Sequence, residues 1–120
     1  MKVMIVDDSK SMRMIVKRTL KQAGYDNMEF EEAGDGTEAL AQIDDYMPHL
    51  VLCDWNMPLM NGLDFLKAIR AAGNSVKFGF VTTESTVEMR AKAKEAGAQF
   101  LVSKPFTPES FERALRPVIG

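Results

Sequence analysis

Short apolar runs alternate along the chain with longer stretches whose apolar positions recur every three or four residues. Those two periods separate strands from amphipathic helices. Lys2–Val6 reads as a first strand. From about Ser11 onward Met12, Ile15, Val16 and Leu20 share one helical face, and Gly24 is placed to end that helix. Met28–Ala33 alternates weakly and predicts a more exposed strand. Asp35–Ile43 follows as a short helix, with Asp35 or Thr37 near its start. Leu50–Cys53 is a wholly apolar strand, and Gly62 leads into the helical period of Leu63–Gly73. Lys77–Val81 predicts the fourth strand, Thr86–Gly97 the fourth helix, Phe100–Val102 the fifth strand and Thr107–Ile119 the fifth helix. Thr107 is the expected N-cap of that last helix, with Pro108 at the first helical position. Ser110 stands at the third helical position where a capping box wants Glu or Gln, so no box is expected.

Five strand-then-helix units with apolar strands predict an α/β fold, a parallel sheet covered by helices on both faces. Residues 1–120 are expected to form one domain without an effector domain, since no linker, low-complexity tract or solenoid repeat interrupts them. Composition changes little in this picture: 46% apolar and 27% charged residues are ordinary for a globular protein. A net charge of −2, with acids and bases interspersed, argues against nucleic-acid or membrane partners engaged through bulk charge. The single cysteine, Cys53, excludes an internal disulfide and points to a reducing compartment. No apolar run approaches the ~18 residues of a spanning helix, and the acidic start MKVMIVDDSK is too short for a signal peptide. A cytoplasmic location is therefore expected. The nine methionines are scattered and read as adaptable core filling.

In an open α/β sheet ligands bind outside the carboxyl ends of the strands. At those ends the chain places Asp7 and Asp8, then Asp54, then Thr82 and Thr83, then Ser103 and Lys104. Each alone has an ordinary explanation as a cap, a turn residue or a solvated charge. Four strands placing polar groups at one edge do not. Two carboxylates ~4 Å apart repel by about 4 kcal/mol at an effective dielectric of 20, so three need a cation or raised pKa values. An all-oxygen donor set suits Mg²⁺, which takes one or two carboxylates directly and keeps several waters. Zinc would want Cys or His ligands that the lone Cys53 cannot supply, and His49 precedes the third strand, at the opposite edge. A carboxylate, a hydroxyl, a lysine and Mg²⁺ are the parts needed for phosphoryl transfer to an aspartate. Asp54 is the best nucleophile candidate, because Asp7 and Asp8 form a natural metal-holding pair.

VDDS after the first strand, CDWNMPLMNG around the third, VTTE after the fourth and SKPF after the fifth resemble the receiver domain of two-component response regulators. The resemblance covers the whole chain in order, and the DWNMP…G segment is similar to that of the single-domain chemotaxis members. It implies a (βα)5 flavodoxin-like, doubly wound sheet with strand order 2-1-3-4-5. It implies that Asp54 is the phosphoacceptor, with Mg²⁺ held by Asp8, Asp54 and the Asn56 backbone carbonyl, and by Asp7 through water. Thr82 matches the family's switch hydroxyl, Lys104 its phosphate-binding lysine, and Pro105 its cis-proline. Asn56 and Glu84 occupy the positions that tune the lifetime of the acyl phosphate, and their identities imply a short-lived one. The implied partners are a sensor histidine kinase as phosphodonor and a downstream protein target, the flagellar motor switch or another, bound by a monomer without nucleic acid or membrane.

Two positions depart from the family pattern. Where an aromatic residue usually stands, three before the lysine, this chain has Leu101. Phe100 is adjacent, yet strand alternation turns it to the other face unless a bulge or slip intervenes. The start of the fourth helix carries Thr86 and Val87 in place of the basic pair that motor-binding regulators tend to have. Two other readings compete. An Mg²⁺-dependent phosphohydrolase working through an aspartyl phosphate would want a second acid two residues after the nucleophile, where Asn56 stands. An FMN binder would want a phosphate loop after the first strand, where DDSKS would repel the phosphate.

Overall fold

The computed structural model describes residues 1–119. Ten elements alternate: β1 (Lys2–Val6), α1 (Lys10–Gln22), β2 (Glu29–Ala33), α2 (Gly36–Tyr46), β3 (Leu50–Cys53), α3 (Gly62–Ala71), β4 (Lys77–Thr82), α4 (Val87–Ala96), β5 (Phe100–Ser103) and α5 (Pro108–Ile119). The strands form one parallel sheet in the order β2-β1-β3-β4-β5, the doubly wound, flavodoxin-like arrangement expected. From β1 the chain winds outward to β2, then returns past β1 to β3. The loops after β1 and β3 therefore part in opposite directions and leave a crevice at the carboxyl edge.

Alternation along the strands builds two cores. Met4, Val6, Val51, Cys53, Phe78 and Phe80 face α2, α3 and α4, meeting Ala39, Ile43, Phe65, Leu66, Ile69 and Ala93. Val3, Ile5, Leu50, Leu52 and Val81 face the other way onto Val16 and Leu20 of α1 and Phe111 and Leu115 of α5. Burial of both faces explains why β1, β3 and β4 read as unbroken apolar runs. β2, at the edge, is the least buried, as its weak alternation predicts. All five helices start on side-chain caps: Ser9, Asp35, Asn61, Thr86 and Thr107 each accept the amide hydrogen bond of the residue three ahead.

Three expectations shift. β4 and β5 each run one residue further than their apolar segments, so Thr82 and Ser103 are paired strand residues. α2 continues past Ile43 to Tyr46, because Asp44 and Asp45 lie on its exposed side where polarity costs nothing. The α5 cap is reciprocal after all. Thr107 Oγ1 accepts from the Ser110 amide at 3.1 Å while Ser110 Oγ accepts from the Thr107 amide at 2.9 Å. A serine hydroxyl reaches back as a glutamate would, so the absence of Glu or Gln did not abolish the box.

The edge strand β2 is tied to α1 through Glu32, whose carboxylate accepts from Arg13 Nε and Lys17 Nζ, both at 2.8 Å. Hydrogen bonds from Lys17 and then Arg13 hold its pKa below the ordinary glutamate value, against a smaller opposing effect of burial. A depressed carboxylate pKa stabilises the fold above the unfolded-state value and loses that contribution as pH falls through the folded one. Glu32→Gln is therefore expected to be less stable than wild type in urea titrations at neutral pH. The gap should close as the pH is lowered through the carboxylate range. A gap independent of pH would show that the ion pairs are not its source.

Candidate functional site

Strand pairing extends one step beyond each strand and places the polar groups. The Asp54 amide donates to the Val6 carbonyl at 2.8 Å, the Asp7 amide to Ala33 at 3.0 Å, and the Lys104 amide to Thr82 at 2.8 Å. Residues far apart in sequence thus arrive at one edge. Carboxylate oxygens of Asp7, Asp8 and Asp54 lie within 4.8 Å of one another, and Lys104 Nζ donates to Asp7 Oδ2 at 2.9 Å and Asp54 Oδ2 at 3.2 Å.

The remaining oxygens are held by backbone. Asp7 Oδ1 accepts from the Ser9 amide at 2.9 Å, and Asp54 Oδ1 from the Trp55 amide at 2.7 Å. Asp7 is only 4% exposed, Asp54 is half-buried and Asp8 is open to solvent. Burial raises the Asp54 pKa, with Lys104 opposing and Asp7 adding to the rise. Burial would lower the Lys104 pKa, but its bonds to Asp7 and Asp54 outweigh that and raise it. Three carboxylates facing one ammonium leave a surplus of negative charge, and the donor set is all oxygen with Asp8 on the solvent side. These residues fit a hard, partly hydrated divalent cation such as Mg²⁺. The Asn56 side chain is exposed at the same turn.

Thr82 supplies the second sign of an unfinished site. Its Oγ1 is buried and has no hydrogen-bond partner among the described residues, a condition that normally costs stability. Trp55 packs on Phe80 with ring centroids 4.8 Å apart. Gly62 closes the loop that begins at Asp54: its amide donates to the Trp55 carbonyl at 2.9 Å. A Cβ on Gly62 would stand 2.1 Å from the Asp54 carbonyl oxygen. Only glycine permits that approach.

The other sequence-predicted positions are also placed. The Lys104–Pro105 peptide is cis. Glu84 is exposed beyond β4. Leu101 pairs with Phe80 in register, without a bulge, and joins the α3/α4 core, while Phe100 joins the α1/α5 core. Phe100 lies over Gly79, where a Cβ would meet its ring at 2.0 Å, so it does not substitute for the missing aromatic. His49 sits at the opposite edge, its Nδ1 accepting from the Lys2 amide at 3.0 Å. Cys53 is fully buried. Burial, followed by the charges of Asp54 and Asp7, pushes its thiol pKa well up, which leaves it inert. Sequence reasoning missed Arg13, which donates to the Asp7 carbonyl as well as to Glu32. Nothing in a single helical arginine marks that reach.

The response regulator receiver domain model matches residues 3–116. Chemotaxis protein CheY1 of Helicobacter pylori is 40% identical over 123 aligned residues, covering 100% of this chain and 98% of that protein. A probable chemotaxis protein CheY of Rhizobium etli is 35% identical, covering 99% and 92%. The crystal structure of chemotaxis protein CheY4 of Vibrio cholerae superposes with a TM-score of 0.85 at 39% identity, covering 98% of each chain.

Thr82→Val removes an unpartnered hydroxyl at nearly constant shape and is expected to raise unfolding free energy by about 1 kcal/mol. Denaturant titration measures it, and a loss of stability would mean the hydroxyl is satisfied in solution. Gly62→Ala is expected to cost about 3 kcal/mol by overpacking against the Asp54 carbonyl. A thermal midpoint equal to wild type would refute the close approach.

Proposed function

This chain belongs to the response regulator receiver family, and on that premise we propose that Asp54 is the phosphoacceptor of a signalling switch. The observation that carries the proposal is the convergence of Lys104 Nζ and three carboxylates beside a buried, unpartnered Thr82 hydroxyl. An Asp54 carboxylate oxygen attacks the phosphorus of a kinase phosphohistidine. A P–O bond forms, the P–N bond breaks, and the imidazole leaves, taking its proton from solvent. Asp8, Asp54 and the Asn56 carbonyl, with Asp7 through water, would hold Mg²⁺, which when bound neutralises charge on the phosphoryl oxygens. Lys104 turns from Asp54 to a phosphoryl oxygen, and Thr82 Oγ1 donates to another. Asp7 keeps Lys104 aimed throughout.

The phosphoryl group carries a charge of about −2, and its capture of Thr82 and Lys104 biases the α4–β5–α5 face toward a target-binding state. Leu101, beside Phe80 in register, takes the place of the usual ring in that coupling. The single-domain chemotaxis relatives favour a role in motility, with the flagellar motor switch as one target and a phosphorelay component as another. Pro105 belongs to the Lys104 turn, and exposed Asn56 and Glu84 leave the phosphoryl group open to water, so a short-lived phosphate is expected. The phosphohydrolase reading is not favoured: Asn56 cannot supply the second acid that a substrate-turnover cycle needs. The protein acts as a signalling component rather than a metabolic enzyme, with its location taken to be the cytoplasm.

Acetyl phosphate with Mg²⁺ is expected to change Trp55 emission, because its amide binds Asp54 and its ring stacks on Phe80. Asp54→Ala should lose the phosphorylation response entirely, and Thr82→Val should retain covalent labelling while losing most of the gain in target affinity. An unaltered response in Asp54→Ala would overturn the assignment. So would an aspartyl phosphate surviving for hours in Mg²⁺, for the lifetime.

A further inference from the structure

Asn61–Gly62 is the one Asn-Gly pair of the chain, and Asp35–Gly36 its one Asp-Gly pair. In such pairs the side-chain carbonyl carbon and the next backbone nitrogen meet most readily, because glycine sets no side chain beside that nitrogen. Both pairs occupy the same structural position. Asn61 and Asp35 are N-caps, and Gly62 and Gly36 open α3 and α2. One loop, running from Asp54 to Asn61, holds both glycine nitrogens. The Gly62 amide donates to the Trp55 carbonyl at 2.9 Å, and the Gly36 amide to the Met60 carbonyl at 3.0 Å.

At Asn61 three restraints act together. The proton of the Gly62 nitrogen is engaged by Trp55. Asn61 Oδ1 accepts from the Asp64 amide at 2.8 Å, which holds the side chain over the first turn of α3. Its ψ is 169°, whereas a ring between Asn61 Cγ and the Gly62 nitrogen needs Cβ turned nearly into the plane of the following peptide. All three restraints fail at once when the loop lifts and that first turn opens. Local openings of this kind cost less than global unfolding. The other asparagines lack the pattern: Asn27 and Asn56 precede methionines, and Asn74 precedes Ser75.

We propose that Asn61 is a self-modification site, deamidated through a cyclic imide when the Asp54–Gly62 loop opens, and that its isoaspartyl product disables the receiver. The second part rests on Asp54 being the phosphoacceptor. The Gly62 nitrogen gives its proton to solvent and attacks Asn61 Cγ. A C–N bond forms, and the side-chain nitrogen leaves as ammonia, taking a proton from water. Water then opens the imide. Breaking the new bond leaves aspartate, and breaking the original peptide bond leaves isoaspartate. Aspartate still caps α3. Isoaspartate adds a methylene to the main chain ahead of Gly62, where there is no slack: a Cβ on Gly62 would stand 2.1 Å from the Asp54 carbonyl oxygen. The longer chain displaces Gly62, breaks its bond to Trp55 and frees the turn that places Asp54.

Wild type is aged in mildly alkaline buffer and, separately, unfolded in guanidinium chloride. Position 61 is read by peptide mapping with isoaspartyl methyltransferase labelling. Isoaspartate should accumulate at Asn61 in the native protein, and at least tenfold faster in the unfolded chain. The native pool deamidated at position 61, isolated by anion exchange, should be labelled by acetyl phosphate and Mg²⁺ at least fivefold more slowly than fresh wild type. Fresh Asn61→Asp, with the same charge on a normal backbone, should label within twofold of wild type. Asn61→Ser, a cap that cannot form the imide, should keep its labelling through the same ageing. Equal rates in buffer and guanidinium would remove the gate, and native ageing confined to Asn74 would remove the site. Slow labelling of fresh Asn61→Asp would trace the loss to charge instead of the backbone. Full labelling of the deamidated pool, or equal loss in aged Asn61→Ser, would detach the modification from the switch. Each of those results overturns the proposal. Failure of acetyl phosphate to label Asp54 in fresh wild type would instead sink the phosphoacceptor assignment, and the mapping of position 61 would still decide whether the site exists.

Discussion

Everything at the carboxyl edge depends on one electrostatic constraint: three carboxylates crowded together, with one lysine between two of them. Lys104 bonds Asp7 and Asp54 at once, and both pairs are too buried to be screened as surface pairs are. The lysine alone does not balance three acids. The cluster is poised to take up a cation and then an anion. On the proposed function, a group of the opposite sign relieves each imbalance in turn, and that relief would drive the switch.

The sheet makes that crowding tolerable. Because β1 and β3 are adjacent and their loops part in opposite directions, acids from two separate loops meet without a dedicated cavity. Each site residue hangs from a strand-end backbone bond, and the loop after Asp54 is locked by Gly62 against the Asp54 carbonyl. Rigid placement on the sheet combined with an unpartnered Thr82 hydroxyl gives a site that is preorganised but incomplete. Such a site responds to a ligand by completing its hydrogen bonds rather than by remodelling its core.

Away from the site, burial is unevenly distributed among the helices. α4 buries only Ala93, whereas α1 and α5 each bury two or three side chains. The carboxyl end of α4 is nonetheless anchored, since Arg70 of α3 donates to the Gly97 carbonyl at 2.7 Å and to Asn74 at 2.9 Å. Its amino end, with Thr86 and Val87 in solvent, lies nearer Thr82 in the chain. A helix fixed at one end and lightly held at the other can turn a small hydroxyl movement into a change of surface.

The periodicity of the chain alone determined the ten elements, the parallel sheet with helices on both faces, and the row of polar residues at the strand ends, because alternation and strand-end position are local properties. Four motifs in order were enough to identify the receiver family. What the chain could not determine by itself was anything set by distance across strands. Only the register settled that Leu101 lies beside Phe80 and that Phe100 covers Gly79 instead. Only the tertiary packing turned Gly62 from a turn residue into a contact with Asp54, brought Arg13 onto Asp7, and left Thr82 Oγ1 without a partner. Ser110 marks the same boundary on a smaller scale: residue type argued against a reciprocal cap, and the geometry of the helix start made one. Residue types specify which groups are available, but hydrogen bonding, strain and charge balance depend on where the rest of the chain puts their neighbours.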